Sequence, residues 1–173
     1  MTRALFNKIL WFKLPIAKIA GLKLHQFDEN KAQVSVKYGW LNQNPFKSMF
    51  WAVQGMAAEL STGILCIDKI QKSEKKISML VVGLEANFTK KAVGKIIFTC
   101  EQGEELDAVL RKAIETGEGQ TLKMRSIGID EKGDQVAEFF FNWSFKTTLK
   151  TNRYFSRFKN RLFFGITKIL IKP

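Results

Sequence analysis

One carboxylate stands out because of the residues around it. Glu59 lies within residues 48 to 68, which are apolar on nearly every face of the helix that they are predicted to form, so this helix should be buried. A carboxyl group on such a helix is poorly solvated, so its pKa should rise towards neutrality. It could then act as a general base or a nucleophile near pH 7. The structural alternative is a buried Glu59 that pairs with a Lys or Arg, or accepts backbone hydrogen bonds.

Other polar groups cluster near the start of the same predicted helix. The backbone N–H groups of Phe50 and Trp51 could polarise a carbonyl group, assisted by the helix dipole. Asn44 could orient a water molecule or that carbonyl, although an Asn before a Pro is commonly a turn or cap residue. Gln54 is a polar position on the helix that could face a substrate. The sequence therefore places several polar groups close to Glu59.

Residues that ligate metals do not occur at a recognised spacing. Cys66 and Cys100 are isolated and are best interpreted as small core residues, and His25 is the sole histidine. No metal or other cofactor is expected.

The overall charge indicates an anionic partner. The chain of 173 residues carries a formal charge of +12, and its first 27 residues contain no Asp or Glu. Such a balance favours phosphate-bearing molecules or anionic lipid. Nucleic acid is not expected, because no recognised binding motif is present. No apolar run of about 18 residues occurs, so the sequence predicts a cytoplasmic protein, with peripheral contact to an anionic membrane surface left open.

The elements that position these groups can be derived from periodicity and turn residues. Helices are predicted at residues 4–13, in a short segment from Pro15, at 48–68 and at 103–119, and strands at 31–38, 77–89, 95–101, within 120–133, and at 134–148. A polar loop from residue 69 to residue 76 is expected to end the long helix. Antiparallel strands packed on one buried helix predict an α+β fold.

The domain prediction is a single unit covering residues 1–173, with its core at about 30–148 and helices in residues 1–27. Residues 150–173 combine helical apolar spacing with many cations, which predicts a basic amphipathic helix. Such a helix lies either on an anionic membrane or on the outer face of the sheet.

Two stretches carry a resemblance to a known superfamily. NPFKSMFWAVQGMAAELSTG, residues 44–63, resembles the helix entry of the hotdog-fold acyl-CoA thioesterases, in particular the 4-hydroxybenzoyl-CoA thioesterase and PaaI-type branches. FTKKAVGKIIFTCEQ, residues 88–102, is similar to their next two strands. Asn44 stands at the family's Asn position, and Glu59 stands at its mid-helix acid. Phe50, Trp51 and Ala52 replace the family's His-Gly-Gly, so this chain resembles a branch that lacks that element.

The resemblance implies a hotdog fold, in which a curved sheet of five strands wraps around the long helix. It also implies hydrolysis of an acyl-CoA or related acyl thioester, in a site shared by two subunits of a homodimer or a dimer of dimers. By the same resemblance Lys90, Lys91 and Lys95 would hold the phosphates of coenzyme A, and the alternative for them is a solvated charge run. Because His-Gly-Gly is missing, a non-catalytic protein that binds acyl-CoA or a fatty acyl chain remains the second hypothesis.

Overall fold

The computed structural model describes residues 1–147 of the chain. Their helices and strands follow the predicted order closely. The helices are α1 (Arg3–Lys13), α2 (Pro15–Ile19), α3 (Trp51–Lys72) and α4 (Gly103–Thr116), and a single 3₁₀ turn covers Trp40–Asn42. The strands are β1 (Lys23–Phe27), β2 (Ala32–Lys37), β3 (Ile77–Phe88), β4 (Lys95–Cys100), β5 (Gln120–Ile129) and β6 (Gln135–Thr147).

The strands form one antiparallel sheet in the order β1-β2-β4-β5-β6-β3. β1 and β3 are therefore its two edges. Alternation along β6 places Phe139, Phe141, Trp143 and Phe145 on one buried face. This face supplies the aromatic half of the core.

Helix α3 packs across β2, β4, β5 and β6 on the apolar side of the sheet. Two buried hydrogen bonds fix it there. The hydroxyl groups of Ser61 and Ser126 lie 2.7 Å apart, and the indole N–H of Trp143 donates to Oγ1 of Thr62 over 2.9 Å. Both bonds satisfy polar groups that would be costly to bury unpaired. The rotation of α3 about its own axis is thus set by these contacts.

The structure corrects three of the sequence predictions. The sheet has six strands rather than five, because β1 (Lys23–Phe27) was not predicted. Only Leu24 of that strand is buried, so it shows no alternating pattern. The long helix also continues through residues 69–72, which were predicted to be loop. Finally, α3 is not buried on every face, since Trp51 and Glu59 are exposed.

Both cysteines are buried and unpaired, as predicted. Burial raises the pKa of the Cys100 thiol to about 12, and it raises the pKa of Cys66 as well, so both groups remain protonated. Among residues 1–147, no helix is long and apolar enough to cross a membrane. The basic helix predicted at residues 150–173 lies outside the described residues.

Candidate functional site

Glu59 lies on the open face of α3. Its side chain forms no hydrogen bond and no ion pair within residues 1–147, so the predicted structural pairing with a Lys or Arg is not found there. The carboxyl group is exposed in the single chain, yet the protein atoms packed around it raise its pKa through desolvation. Glu59 is therefore an unpartnered carboxylate whose proton affinity is enhanced.

The helix packs closely against the sheet on either side of Glu59. Gly55 and Gly63 lie one turn before and one turn after it, on the same side of α3. A Cβ atom on Gly55 would lie 3.6 Å from the ring of Phe139, and one on Gly63 would lie 3.5 Å from the ring of Trp143. These small residues let the helix approach the aromatic face of β6, and the approach brings Glu59 towards that face.

Beyond β6 the apolar side of the sheet is only partly covered by residues 1–147. In β3, Leu84 lies directly opposite Phe141, so its side chain points to the same side of the sheet as that buried ring. Leu84 and Phe88 are nevertheless each 49% exposed, because α3 packs over the strands from β2 to β6 and not over β3. The edge strand thus presents an apolar strip next to the helix that carries Glu59.

The loop before α3 is organised by Asn44. Its side-chain oxygen accepts hydrogen bonds from the backbone N–H groups of Phe46 and Ser48 over 2.9 and 3.2 Å. Its amide nitrogen donates to Oγ of Ser48 and to the carbonyl of Met49. Asn44 therefore shapes the chain that leads into the helix, which agrees with the turn-residue alternative.

The first turn of α3 offers two kinds of polar group. The N–H of Phe50 donates to the carbonyl of Asn42 over 2.8 Å, whereas that of Trp51 has no acceptor within the described residues. Gln54 is buried; its amide nitrogen donates to the carbonyl of Met49, and its Oε1 atom has no partner. A free N–H donor and a free carbonyl acceptor are thus held at the same end of the helix.

The three lysines predicted to bind phosphates do not share one environment. Lys90 forms ion pairs with Asp130 and Asp134 at 2.8 and 2.5 Å. Lys91 donates to the carbonyl of Phe46 over 3.2 Å, close to the loop before α3. Lys95 lines a different cleft, beside β1 and β2. Glu59 lines neither this cleft nor the one between α3 and α4.

Solved structures with the same architecture come from several bacteria. A protein of unknown function from Pseudomonas aeruginosa, designated a probable thioesterase, superposes with a TM-score of 0.75 and 19% identity over 86% of this chain and 97% of its own. A thioesterase from Haemophilus influenzae gives 0.64 and 14%, covering 88% and 96% of the two chains. A thioesterase from Staphylococcus aureus gives 0.59 and 12%, covering 76% and 98%.

A sheet wrapped on one long helix, together with these likenesses, defines a protein with the hotdog fold, as the sequence predicted. Within that class the chain belongs to the family called Domain of unknown function (DUF4442), whose model matches residues 2–145. No curated protein matches the sequence significantly.

Sequence reasoning did not find two features of the surface. One is the apolar strip of β3, because the pattern of that strand alone could not reveal that no helix of residues 1–147 covers it. The other is the basic cleft between the N-terminal helices and β1, lined by Arg3, Lys18 and Lys23 among others. The absence of acids from the first 27 residues was its only sequence signal.

Proposed function

We propose that this protein hydrolyses an acyl thioester, such as an acyl-CoA, with Glu59 as the general base. The observation that carries the proposal is the state of that carboxylate: it has no polar partner within residues 1–147, and desolvation raises its pKa. A carboxylate held in this way accepts a proton at neutral pH more readily than an ordinary one.

The proposed reaction uses the free groups around the helix start. Glu59 takes a proton from a water molecule, whose oxygen attacks the thioester carbonyl carbon. The N–H of Trp51 donates to the resulting oxyanion, at the positive end of the α3 dipole. When the carbon–sulfur bond breaks, the leaving thiolate takes the proton from Glu59, and the products are a carboxylic acid and a thiol.

Two further residues have supporting roles in this proposal. The unpaired Oε1 of Gln54 can accept a hydrogen bond from an amide N–H of the bound thioester. Asn44 acts as a positioning residue, since its side chain holds the loop that sets the first turn of α3. Lys91 and Lys95 stay proposed phosphate contacts, while Lys90 could join them only by exchanging its two carboxylate partners.

The spacing of two polar residues supports the site. Structures of the Staphylococcus aureus protein include one with a glutamine replaced by alanine and one with a glutamate, fifteen positions later, replaced by alanine. Here Asn44 and Glu59 are separated by the same fifteen positions (59 − 44). An amide followed by a carboxylate at this distance fits a loop residue and a mid-helix acid acting on one substrate.

The site requires a second copy of the chain to be complete. Within residues 1–147, β3 is an edge strand of 12 residues with no strand on its outer side, and its Leu84 and Phe88 side chains are half exposed on the side of the sheet that carries α3. Long apolar edges are normally paired or covered. We propose that β3 of a second subunit pairs with it, so that the two chains enclose the acyl group near Glu59. Such a homodimer could assemble further into a dimer of dimers.

Contact with an anionic membrane is a second proposal, favoured by the N-terminal helices. Trp11, Phe12, Ile16 and Ile19 are each at least 60% exposed, and no acid occurs in residues 1–27. An apolar surface framed by cations suits the boundary between lipid headgroups and acyl chains. It would bring the enzyme close to lipids from which fatty acyl groups derive.

Hydrolysis of a series of acyl-CoAs tests the thioesterase proposal. We expect Glu59→Ala and Glu59→Gln to lower kcat by about 100-fold or more, as removal of a general base does, while acyl-CoA binding persists. The matched control is Glu101→Gln, an exposed carboxylate after β4 that pairs with Lys31. Binding by the wild type without turnover of any acyl-CoA would replace this proposal with the non-catalytic binding protein. Turnover unaffected by the Glu59 substitutions would exclude Glu59 as the base.

A further inference from the structure

A basic cleft of about 670 Å³ lies between the N-terminal helices and the β1 edge of the sheet. Its volume is in the range of small-molecule sites. The cationic side chains that line it are Arg3, Lys18, Lys23, Lys37 and Lys95, together with His25, and no carboxylate lines it. Within residues 1–147, none of the five Lys and Arg side chains forms an ion pair. Their charge is therefore not neutralised by the described part of the chain.

The strand register concentrates this charge. Lys37 of β2 lies directly opposite Lys95 of β4, and Lys23 of β1 lies directly opposite Ser35, two residues before Lys37. Residues directly opposite one another, and residues two apart on a strand, project from the same face. Like charges in such a cross-strand pair destabilise a sheet. A bound anion would turn this repulsion into attraction.

Polar groups complete the lining on the helix side. Lys18 of α2 donates to Oδ1 of Asn7 over 3.3 Å, and Arg3 of α1 donates to the carbonyl of His25 over 3.3 Å. These bonds hold two of the cations at the mouth of the cleft. The cleft thus joins side chains from two helices and three strands that the sequence separates by up to 92 positions (95 − 3).

We propose that this cleft is a binding site for a phosphate-bearing anion with two or more negative charges. Lys23, Lys37 and Lys95 contact the phosphate oxygens, and Arg3 and Lys18 close over them. Such oxygens accept charge-assisted hydrogen bonds from several cations at once. The inference shares Lys95 with the proposed phosphate contacts of the thioester, but it does not depend on thioesterase activity, because Glu59 does not line the cleft.

His25 supplies a built-in reporter. It is the only histidine of the chain, so its imidazole protons give a single set of NMR signals. Its pKa is lowered by partial burial and by the positive charges of Lys95 and Arg3. A bound anion would offset those charges, so the pKa of His25 should rise on binding, and binding should strengthen as the pH falls through that pKa.

The experiment follows His25 by NMR in the full chain during titration with inorganic pyrophosphate. We expect a saturable shift of its signals and an increase in its pKa. The double variant that combines Lys23→Gln and Lys37→Gln should bind pyrophosphate with an affinity lower by about tenfold or more, which corresponds to about 1.4 kcal/mol of binding free energy. The matched control, Lys112→Gln with Lys132→Gln, removes two exposed lysines elsewhere and should bind as the wild type does. Circular dichroism establishes that both double variants are folded.

Two further titrations distinguish the sources of the phosphate, one with coenzyme A and one with phosphatidylcholine vesicles with and without phosphatidylglycerol. Binding of pyrophosphate and coenzyme A indicates a soluble phosphate ester. Binding only to anionic vesicles, lost in the Lys23 and Lys37 variant, indicates a lipid headgroup. No response of His25 to any probe, or equal loss of binding in the control variant, would overturn the proposal. Since Glu59 is untouched, this failure is separate from failure of the thioesterase proposal.

Discussion

At the scale of single residues, the environment of Glu59 matters more than its identity. A glutamate on an exposed polar helix would titrate near its ordinary pKa and would be hydrated. Here the carboxylate has no hydrogen-bond donor within the described residues, and nearby protein atoms remove part of its water. Desolvation disfavours the charged form, which makes the group a better proton acceptor. The second subunit that we propose would strengthen this effect by covering Glu59 further.

The pH dependence of catalysis should report this shift. A general base works only when ionised, so kcat/KM for an acyl-CoA should rise with pH and level off above the pKa of Glu59. Because that pKa is raised above the ordinary 4.5, the inflection should lie at a higher pH than for a solvated glutamate. Measurement of kcat/KM between pH 4 and pH 8 checks this. A flat profile over that range would argue against Glu59 as the titrating base.

The same shift predicts a small effect on folding. A carboxyl group that binds its proton more tightly in the folded state favours folding at low pH, and this contribution is lost as the pH rises through the folded pKa. Glu59→Gln should therefore leave the Tm unchanged or raise it at neutral pH. That outcome would also show that loss of activity in the variant is not loss of fold.

At the scale of elements, β3 is a long edge strand that pairs with β6 on one side and with no strand of residues 1–147 on the other. Every other strand of the sheet except β1 has a neighbour on both sides, and β3 is twice as long as β2 or β4. On the face that continues the core, Leu84 and Phe88 remain half exposed within residues 1–147, although Met79, Val81 and Ala86 are partly buried. The second copy that we propose would supply both a strand to pair with β3 and a cover for its exposed side chains in a single contact.

Two exposed leucines of β3 provide a matched test of that interface. Leu84 projects to the α3 side of the sheet, opposite Phe141, while Leu80 projects to the other side, opposite Ser144. We expect Leu84→Lys to convert the dimer into monomers, because the proposed contact would bury its charge without a partner. Leu80→Lys should leave the dimer intact. Sedimentation velocity distinguishes these outcomes, and a monomeric wild type would contradict the proposed interface.

At the scale of the whole molecule, charge and exposed apolar surface occur together at the N-terminal helices. Leu5, Ile9 and Phe12 recur at helical spacing in the sequence, and such a face is normally expected to pack on a core. The structure instead buries Phe6 and Leu10, on a different face of α1. Leu5 and Phe12 are 42% and 74% exposed. The helix thus has one apolar face that packs on the core and a second that is exposed within residues 1–147.

We expect membrane contact through this second face to need both burial of its apolar side chains in the lipid and attraction between nearby cations and anionic headgroups. The wild type should co-sediment with vesicles that contain phosphatidylglycerol and much less with pure phosphatidylcholine, since cations near the surface are attracted by anionic lipid. Phe12→Ser with Ile16→Ser should reduce recovery in the pellet, whereas Leu80→Ser, a substitution of an equally exposed apolar residue elsewhere, should not. Equal recovery with neutral and anionic vesicles would exclude the proposed mode of binding.

The sequence by itself determined the local elements and the fold class. Alternation identified β2 and β6, and the apolar stretch around Glu59 identified α3, because these patterns reflect burial of one face or of a whole segment. β1 escaped detection because an edge strand with one buried residue leaves no such pattern. Asn44, Glu59 and Gln54 were selected from residue type and spacing along one helix and its preceding loop, where neighbours in sequence are neighbours in space.

Tertiary structure decided everything that depends on distant parts of the chain meeting. It showed that Glu59 has no partner within residues 1–147, that Lys90 is occupied by two aspartates and that Lys95 lies opposite Lys37. It also decided which apolar face of α1 is covered. Periodicity indicates that a face is apolar. What packs against that face is determined by the register of the sheet and by which strands α3 covers. The basic cleft and the open strip of β3 arise from those long-range placements.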